Sequence, residues 1–348
     1  MPNSVLTEAI DRLACGRDFS AESAAESLRE IMEGRASEVQ TAGLLVALRT
    51  KGETVEELTG LARTMRELSL EVEVSAEVAA GGLLDTAGTG GGRPTANVST
   101  TAAIVAAGAG CRVAKHGNRS STSLSGSADV LEALGVRIDL EPAAIAQGVA
   151  EVGFGFMFAP RHHAAMRHVV SVRRELGVRT VFNFVGPITN PAGATRQVIG
   201  VSDPAFCDTV AGALAALGGR RALVVSSEDG LDEISVSAPM RMIELDEGRR
   251  TELRITPEEL GVEPAPPDAL SSGTPQQNAE TACAVLAGKP GAERSVTVLN
   301  AGAAIYVGGR ADDLAGGVRA AEEAIDSGAA AEVLARYTEL SQRLATPS

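Results

Sequence analysis

Residues 85–100 read DTAGTGGGRPTANVST. The segment LLDTAG, 83–88, has the pattern of a strand end, and glycines follow at 88, 90, 91 and 92. Thr95, Asn97, Ser99 and Thr100 then lead into a helix of small residues, VSTTAAIVAAGAG. A strand that passes through a glycine turn into a helix is a unit of an open α/β sheet, where ligands bind beyond the carboxyl ends of the strands. Glycine has no Cβ to hold backbone N–H groups away from an anion, and the helix N-terminus adds its own amides and dipole. The run therefore predicts a phosphate-binding turn. It is not a Walker A loop, because no Gly-Lys-Ser/Thr follows the glycines, and it is not a GxGxxG.

A second unusual run, AKHGNRSSTSLSGSAD, occupies 114–129. Lys115, His116 and Arg119 stand at the carboxyl end of a strand predicted from CRVAKHG, and a Ser/Thr-rich loop enters another helix at Ser127. The chain has only three lysines, Lys51, Lys115 and Lys289. Two anion-friendly loops after two strands of one sheet would converge on one crevice. A third signal is DGLDEISV, 229–236, in which Asp232 and Glu233 follow the strand-like RALVVSS. Adjacent loop carboxylates suit Mg²⁺ when a substrate carries phosphates. A fourth is SVRRELGVRTVFNFVGPITNP, 171–191. Its Arg173 can pair bidentately with a carboxylate, and Pro187 and Pro191 stiffen a loop able to wall an aromatic pocket.

The rest of the chain sets the frame. Residues 1–71 read as a small helical unit, with capping boxes at Ser37–Gln40 and Thr54–Glu57 and an end at Gly52. From about residue 83 strands and helices alternate, which predicts a largely parallel sheet. The strands are FGFMFAP, RQVIGVS and RALVVSS, with helices at SADVLEALG, EPAAIAQGVAEVG and PAFCDTVAGALAALG; two more helices follow VTVLNAGAAIYVG. Residues 262–275 form a Pro/Ser/Gly loop. With 348 residues, 44% of them hydrophobic, the chain can bury a large core.

A net charge of −14 with 3% aromatic residues offers no basic footprint or stacking platform, which argues against nucleic acid and anionic membranes as partners. Cys15, Cys111, Cys207 and Cys283 are scattered without metal spacing, and the expectation is buried reduced thiols in a cytoplasmic protein. Neither a signal peptide nor an apolar run long enough to span a bilayer is read in the sequence.

These runs resemble the anthranilate phosphoribosyltransferase family along nearly the whole chain. The matching segments are GTGG at 88–91, TANVST at 95–100, KHGNRSSTS at 115–123, SGSADVLEALG at 125–135, APRHHAAMRH at 159–168, VRRELGVRTVFNFVGPITNPAG at 172–193 and LDEIS at 231–235. The resemblance implies a nucleoside phosphorylase/phosphoribosyltransferase-like α/β fold. A helical domain at 1–71, joined again by 161–184, would adjoin a larger α/β domain at 72–348 with a central, mostly parallel sheet, in a homodimer. It also implies Mg²⁺-dependent transfer of phosphoribosyl from phosphoribosyl pyrophosphate (PRPP) to the amine of anthranilate, a step in tryptophan biosynthesis.

Carried over by position, Gly88, Gly91, Gly92, Thr95, Asn97, Ser99 and Thr100 would line the PRPP site from the glycine run. Lys115, His116, Gly117, Asn118, Arg119, Ser123 and Ser127 would line it from the second run. Ser99, Asp232 and Glu233 would serve two Mg²⁺ ions. Gly88, Asn118 and Arg173 would contact anthranilate, with His116, His163 and Pro187 along its path. No residue is assigned as a catalytic base, because an arylamine is already neutral at pH 7; positioning and electrostatics carry the rate. His162 and His168 are read as structural. The alternatives are a pyrimidine nucleoside phosphorylase and a non-catalytic nucleic-acid-binding relative. The family reads GTGGDG before its Thr-x-Asn cluster; this chain is one residue shorter and lacks the Asp, so its Mg²⁺ dependence is expected to differ.

Overall fold

The computed structural model describes residues 2–120 and 124–345; Ser123, one of the expected PRPP contacts, lies outside them. The chain opens with four helices, α1 (Ser4–Ala14), α2 (Ala21–Met32), α3 (Glu38–Lys51) and α4 (Val55–Glu67). Each begins at a side-chain cap, Asn3, Ser20, Ser37 or Thr54, that accepts one of the otherwise unpaired first-turn amides. The box at Thr54 is complete. Buried Glu57 also accepts from the Phe19 amide at 2.9 Å and from Lys51 Nζ at 3.0 Å, so the cap fastens three segments. The expected box at Ser37 is only half formed. Gln40 reaches instead to the Asn3 backbone, accepting from its N–H at 3.0 Å and donating to its carbonyl at 2.9 Å, and so ties α3 to α1.

Among the described residues the strands are β1 (Leu84–Gly88), β2 (Val113–Gly117), β3 (Phe154–Phe158), β4 (Arg196–Gly200), β5 (Arg221–Ser227), β6 (Met240–Asp246) and β7 (Arg249–Ile255). They form one sheet in the order β3-β2-β1-β4-β5-β6-β7. The first five run parallel, while β6 and β7 add an antiparallel edge. That edge hairpin, at 240–255, was not assigned from the sequence. Its turn places Glu247 at φ 43° and Gly248 at φ 87°, the left-handed pair that a two-residue hairpin loop requires. The run VTVLNAGAAIYVG lies in a helix, Ala292–Val307, buried along most of its length against one sheet face.

The other face meets the helical bundle. Val169 and Val172 of the helix Arg167–Leu176 share a core with Leu28, Leu44 and Leu48, and that core runs on into Ile199 and Val224 of the sheet. Gly60 of α4 permits a close helix crossing, since a Cβ there would stand 2.1 Å from the Ala21 carbonyl oxygen. The thiols of Cys111 and Cys207 are buried as expected, but Cys15 and Cys283 are exposed. Among the described residues no helix is long and apolar enough to cross a membrane.

The sheet order fixes where a ligand can sit. From β1 the chain moves outward through β2 and β3, then returns to the opposite side of β1 as β4. Loops leaving β1 and β4 thus diverge at a topological switch point and open a crevice at the strand ends. β1 and β4 pair in register as far as Gly88 and Gly200.

Candidate active site

The glycine run leaves β1 and wraps the carboxylate of Asp232. Gly90 and Gly91 take positive φ, 70° and 78°. The Gly90 amide donates to Asp232 Oδ2 at 2.7 Å. A Cβ on Gly88 would lie 2.4 Å from Asp232 Oδ2, and one on Gly92 would lie 2.7 Å from Oδ1. At Gly88 and Gly92 glycine is therefore required by close approach.

Asn97 ends the turn in the left-handed region at φ 58°, directly before the helix Val98–Gly108. Its Oδ1 accepts from Ser125 Oγ at 2.9 Å and from Asn278 Nδ2 at 2.8 Å, while its Nδ2 donates to the Ser125 carbonyl at 3.0 Å. One asparagine thus joins the first loop to the second and to the helix Pro275–Leu286. Asn278 was not singled out in the sequence, because its partner is remote in the chain.

The second loop is shaped by a similar close approach. A Cβ on Gly117 would meet Ser127 Oγ at 2.1 Å. Ser127 Oγ accepts from the Asn118 amide at 3.1 Å, and the Asn118 carbonyl accepts from the Ala128 amide at 3.2 Å. The side chain of Lys115 turns inward, between strands. It is 1% exposed, and Nζ donates to the Thr86 carbonyl at 2.6 Å and reaches Ser99 Oγ at 3.5 Å. Burial pulls its pKa down to about 8, against the opposing pull of Asp85 and Glu233. Arg119 behaves differently from expectation. Its Nη1 pairs with Asp129 at 2.7 Å and Glu132 at 2.5 Å, both on the helix Ser127–Ala133, and its guanidinium lies over the Phe158 ring.

Asp232 and Glu233 face these loops. Glu233 accepts from Thr95 Oγ1 at 3.2 Å and from the Ser99 amide at 3.3 Å. Burial, then repulsion from Asp232, raises the Glu233 pKa to about 8; burial also raises that of Asp232. Lys115 acts on Glu233 and Arg179 on Asp232, but neither forms an ion pair with them among the described residues, so the two adjacent buried carboxylates crowd negative charge whenever both are ionised. A divalent cation would relieve that charge, and the oxygen-only donor set of Asp232, Glu233 and Ser99 suits Mg²⁺. A water-sized cavity lined by Thr86, Ser99, Gly200, Asp232, Glu233 and Asn300 adjoins them. Thr100, the remaining residue of the run, keeps a buried Oγ1 without a hydrogen-bond partner among the described residues.

The wall opposite comes from 159–191. Arg173 makes no ion pair among the described residues; it lies 5.7 Å from the Phe182 ring centroid, and its Nη2 is 3.5 Å from Asn183 Oδ1. Burial lowers its pKa, so a carboxylate partner would be favoured there. Asn183 in turn donates to the Thr89 carbonyl at 3.3 Å, which links this wall to the glycine run.

His116 and His163 meet edge to face with centroids 5.1 Å apart. Burial drives the His116 pKa well below its ordinary value and that of His163 to about 4, so both rings are neutral at pH 7 and suit an aromatic acceptor's path. Pro187 contributes its backbone carbonyl, which accepts from Gln197 Nε2 at 3.1 Å. His162 bonds the Leu70 carbonyl and His168 packs on Gly34, both structural placements.

Known proteins share this architecture. Residues 80–331 match the glycosyl transferase family a/b domain, and 7–69 match its helical bundle domain. The chain is 50% identical over 343 residues to the anthranilate phosphoribosyltransferase of Rubrobacter xylanophilus, covering 98% of this chain and 99% of that one. It is 47% identical to that of Symbiobacterium thermophilum, covering 97% and 98%. The crystal structure of the Thermus thermophilus enzyme superposes with a TM-score of 0.90 at 44% identity, covering 96% of this chain and 99% of that one. The Saccharomyces cerevisiae enzyme in complex with PRPP and Mg superposes with a TM-score of 0.88 at 26% identity, covering 98% and 99%. Neither the nucleoside phosphorylase reading nor the nucleic-acid-binding reading finds support among these relatives. The chain belongs to the anthranilate phosphoribosyltransferase family.

Proposed function

We propose the following division of labour for transfer of the phosphoribosyl group from PRPP to the amine of anthranilate. In this reaction a C–N bond forms at C1 of the ribose, the C1–O bond to pyrophosphate breaks, and the arylamine gives up a proton. The glycine run, Asn97, Ser99 and Lys115 hold the phosphorylated sugar at the switch point. Lys115 supplies a cation from inside the sheet, and its contact to Ser99 sets it beside the loop that carries the pyrophosphate. Bound between Asp232, Glu233 and Ser99, Mg²⁺ would neutralise the charge that the leaving pyrophosphate gathers, and two ions per site are proposed.

Arg173 takes the carboxylate of anthranilate, and the neutral His116–His163 pair lines the ring's approach. Because these groups come from different elements, the chain's contribution is to align amine and C1. Proton removal follows attack and needs only water or a released pyrophosphate oxygen. The homodimer expected from the resemblance belongs to the same proposal, and light scattering measures it directly.

The observation that carries this reading is the convergence of the glycine run, Lys115 and the Asp232–Glu233 pair at one strand-end crevice, with Arg173, which makes no ion pair among the described residues, on the facing wall. The test mixes protein, Mg²⁺, PRPP and anthranilate and follows anthranilate fluorescence. Loss that requires all four components is expected, and fluorescence that persists with all four present overturns the reading.

A further inference from the structure

Arg179 stands where the facing wall meets the glycine run. A Cβ on Gly91 would lie 3.0 Å from Arg179 Cζ and 3.1 Å from its Nε and Nη1. The guanidinium is therefore packed flat against a backbone that only glycine can present. Its Nη2 is buried and has no hydrogen-bond partner among the described residues. Several arginines in this acidic chain find carboxylates: Arg93 meets Asp229 at 3.2 Å, Arg241 meets Asp208 at 2.8 Å, and Arg294 meets Asp326 at 2.7 Å. Arg179 makes no such pair among the described residues, and the run 88–97 contains no carboxylate of its own.

Its backbone is held from both sides. The Arg179 carbonyl accepts from Arg49 Nη1 at 2.5 Å. The next amide, Thr180, donates to Asn183 Oδ1 at 3.1 Å, and Asn183 holds the Thr89 carbonyl of the glycine run. The position is thus fixed, and although its charge acts on Asp232, the guanidinium forms no ion pair with that carboxylate among the described residues and Nη2 stays without an acceptor. A buried guanidinium N–H without an acceptor is costly, and a planar fork beside exposed amides matches a phosphate oxygen pair.

We propose that Arg179 is a ligand of the pyrophosphate group of PRPP, delivered to the glycine run from the same segment that carries Arg173. This rests on the substrate reading above and extends it. One short stretch, 173–183, then reaches both substrates: Arg173 the acceptor's carboxylate and Arg179 the donor's leaving group.

The test is calorimetric titration of Mg²⁺-pyrophosphate into the parent protein, Arg179→Gln and Arg179→Lys, alongside steady-state kinetics. Loss of a charge-assisted contact should weaken pyrophosphate binding about tenfold in Arg179→Gln and raise the KM for PRPP similarly, while the KM for anthranilate stays within about twofold. Arg179→Lys should fall between the two, because a point charge replaces a fork. Pyrophosphate affinity in Arg179→Gln within about twofold of the parent overturns the proposal. If circular dichroism shows Arg179→Gln unfolded, Arg179→Lys decides alone: weakening of about threefold or more supports the contact, and parental affinity overturns it. A parent protein that neither binds pyrophosphate nor turns over would instead overturn the underlying substrate reading.

Discussion

Asn190 donates through Nδ2 to Asp85 Oδ2 at 2.7 Å, and both side chains are buried between β1 and β2. The backbone ladder between these strands registers Leu84 with Val113. Beyond that pair, side chains bridge the strands. Asp85 Oδ1 accepts from the His116 amide at 3.1 Å and the Thr86 amide at 2.8 Å. Asn190 Nδ2 also donates to the Ala114 carbonyl at 2.8 Å, and Lys115 Nζ reaches across to the Thr86 carbonyl. Burial raises the Asp85 pKa, while Lys115 and these donors act against it. The result is a parallel sheet in which β1 and β2 are held by a buried polar cluster just below the loops they feed.

Asn190→Ala should therefore be strongly destabilising. It removes hydrogen bonds to a buried carboxylate and a buried carbonyl, at a cost of about 2–4 kcal/mol. Urea unfolding followed by circular dichroism measures this. Because Lys115 and His116 lie on the affected strand, the KM for PRPP should rise in the fraction that folds. A variant as stable as the parent would show that the cluster does not hold the strands.

Much of this arrangement was legible from local sequence. The glycine run and the KHGNR run encode their own geometry, through positive φ at Gly90 and Gly91 and close approach at Gly88, Gly92 and Gly117. The carboxylate pair was visible by adjacency. The unread parts depend on partners distant in the chain. Asp85 opens the very stretch that decides the fold, yet its role needs Asn190, and the roles of Arg179 and Asn183 need the glycine run. Arg119 was read by charge alone, and the helix after its loop supplied Asp129 and Glu132. Within the 240–255 hairpin, β7 is the edge strand; it is exposed or half-buried throughout and carries little hydrophobic signal, so nothing local marked it as the partner of the mostly buried β6.

Arg173→Ala should separate the two substrates. Its guanidinium is partly buried and makes no ion pair among the described residues, so a bound carboxylate is its natural partner. Losing that pair should raise the KM for anthranilate by about tenfold or more, while PRPP binding changes little. Initial rates over a two-substrate grid measure both. A rise confined to PRPP would place the acceptor's carboxylate elsewhere.

Metal binding should depend on pH through Glu233. In the metal-free protein its pKa lies near 8, well above its ordinary 4.5, so Mg²⁺ must displace a proton at neutral pH. Apparent affinity should rise about tenfold per pH unit below that value and level off above it. The same shift gives a stability trend. A carboxyl raised by burial supports the fold fully below about pH 4.5, and that support is lost as pH rises through about 8. Added Mg²⁺ should reverse the loss. Calorimetric titrations on either side of neutrality, with melting curves with and without the ion, test both; a pH-independent Mg²⁺ affinity would contradict the assignment.

Returning the family's carboxylate to the glycine run tests the chain's clearest departure from the pattern it resembles. Asp232 already accepts from Gly90 and lies against Gly88 and Gly92, so the loop closes around a carboxylate it does not itself provide. An Asp inserted after Gly91 would bring a second negative charge beside the pyrophosphate. At low Mg²⁺ that charge should repel PRPP and raise its KM. At higher Mg²⁺ it should add an oxygen ligand and shift the metal concentration for half-maximal turnover, by about threefold for a single weak contact. Turnover measured across a Mg²⁺ titration, for parent and insertion side by side, reads the difference. Superimposable profiles would mean that Asp232 and Glu233 set the metal dependence without help from the loop.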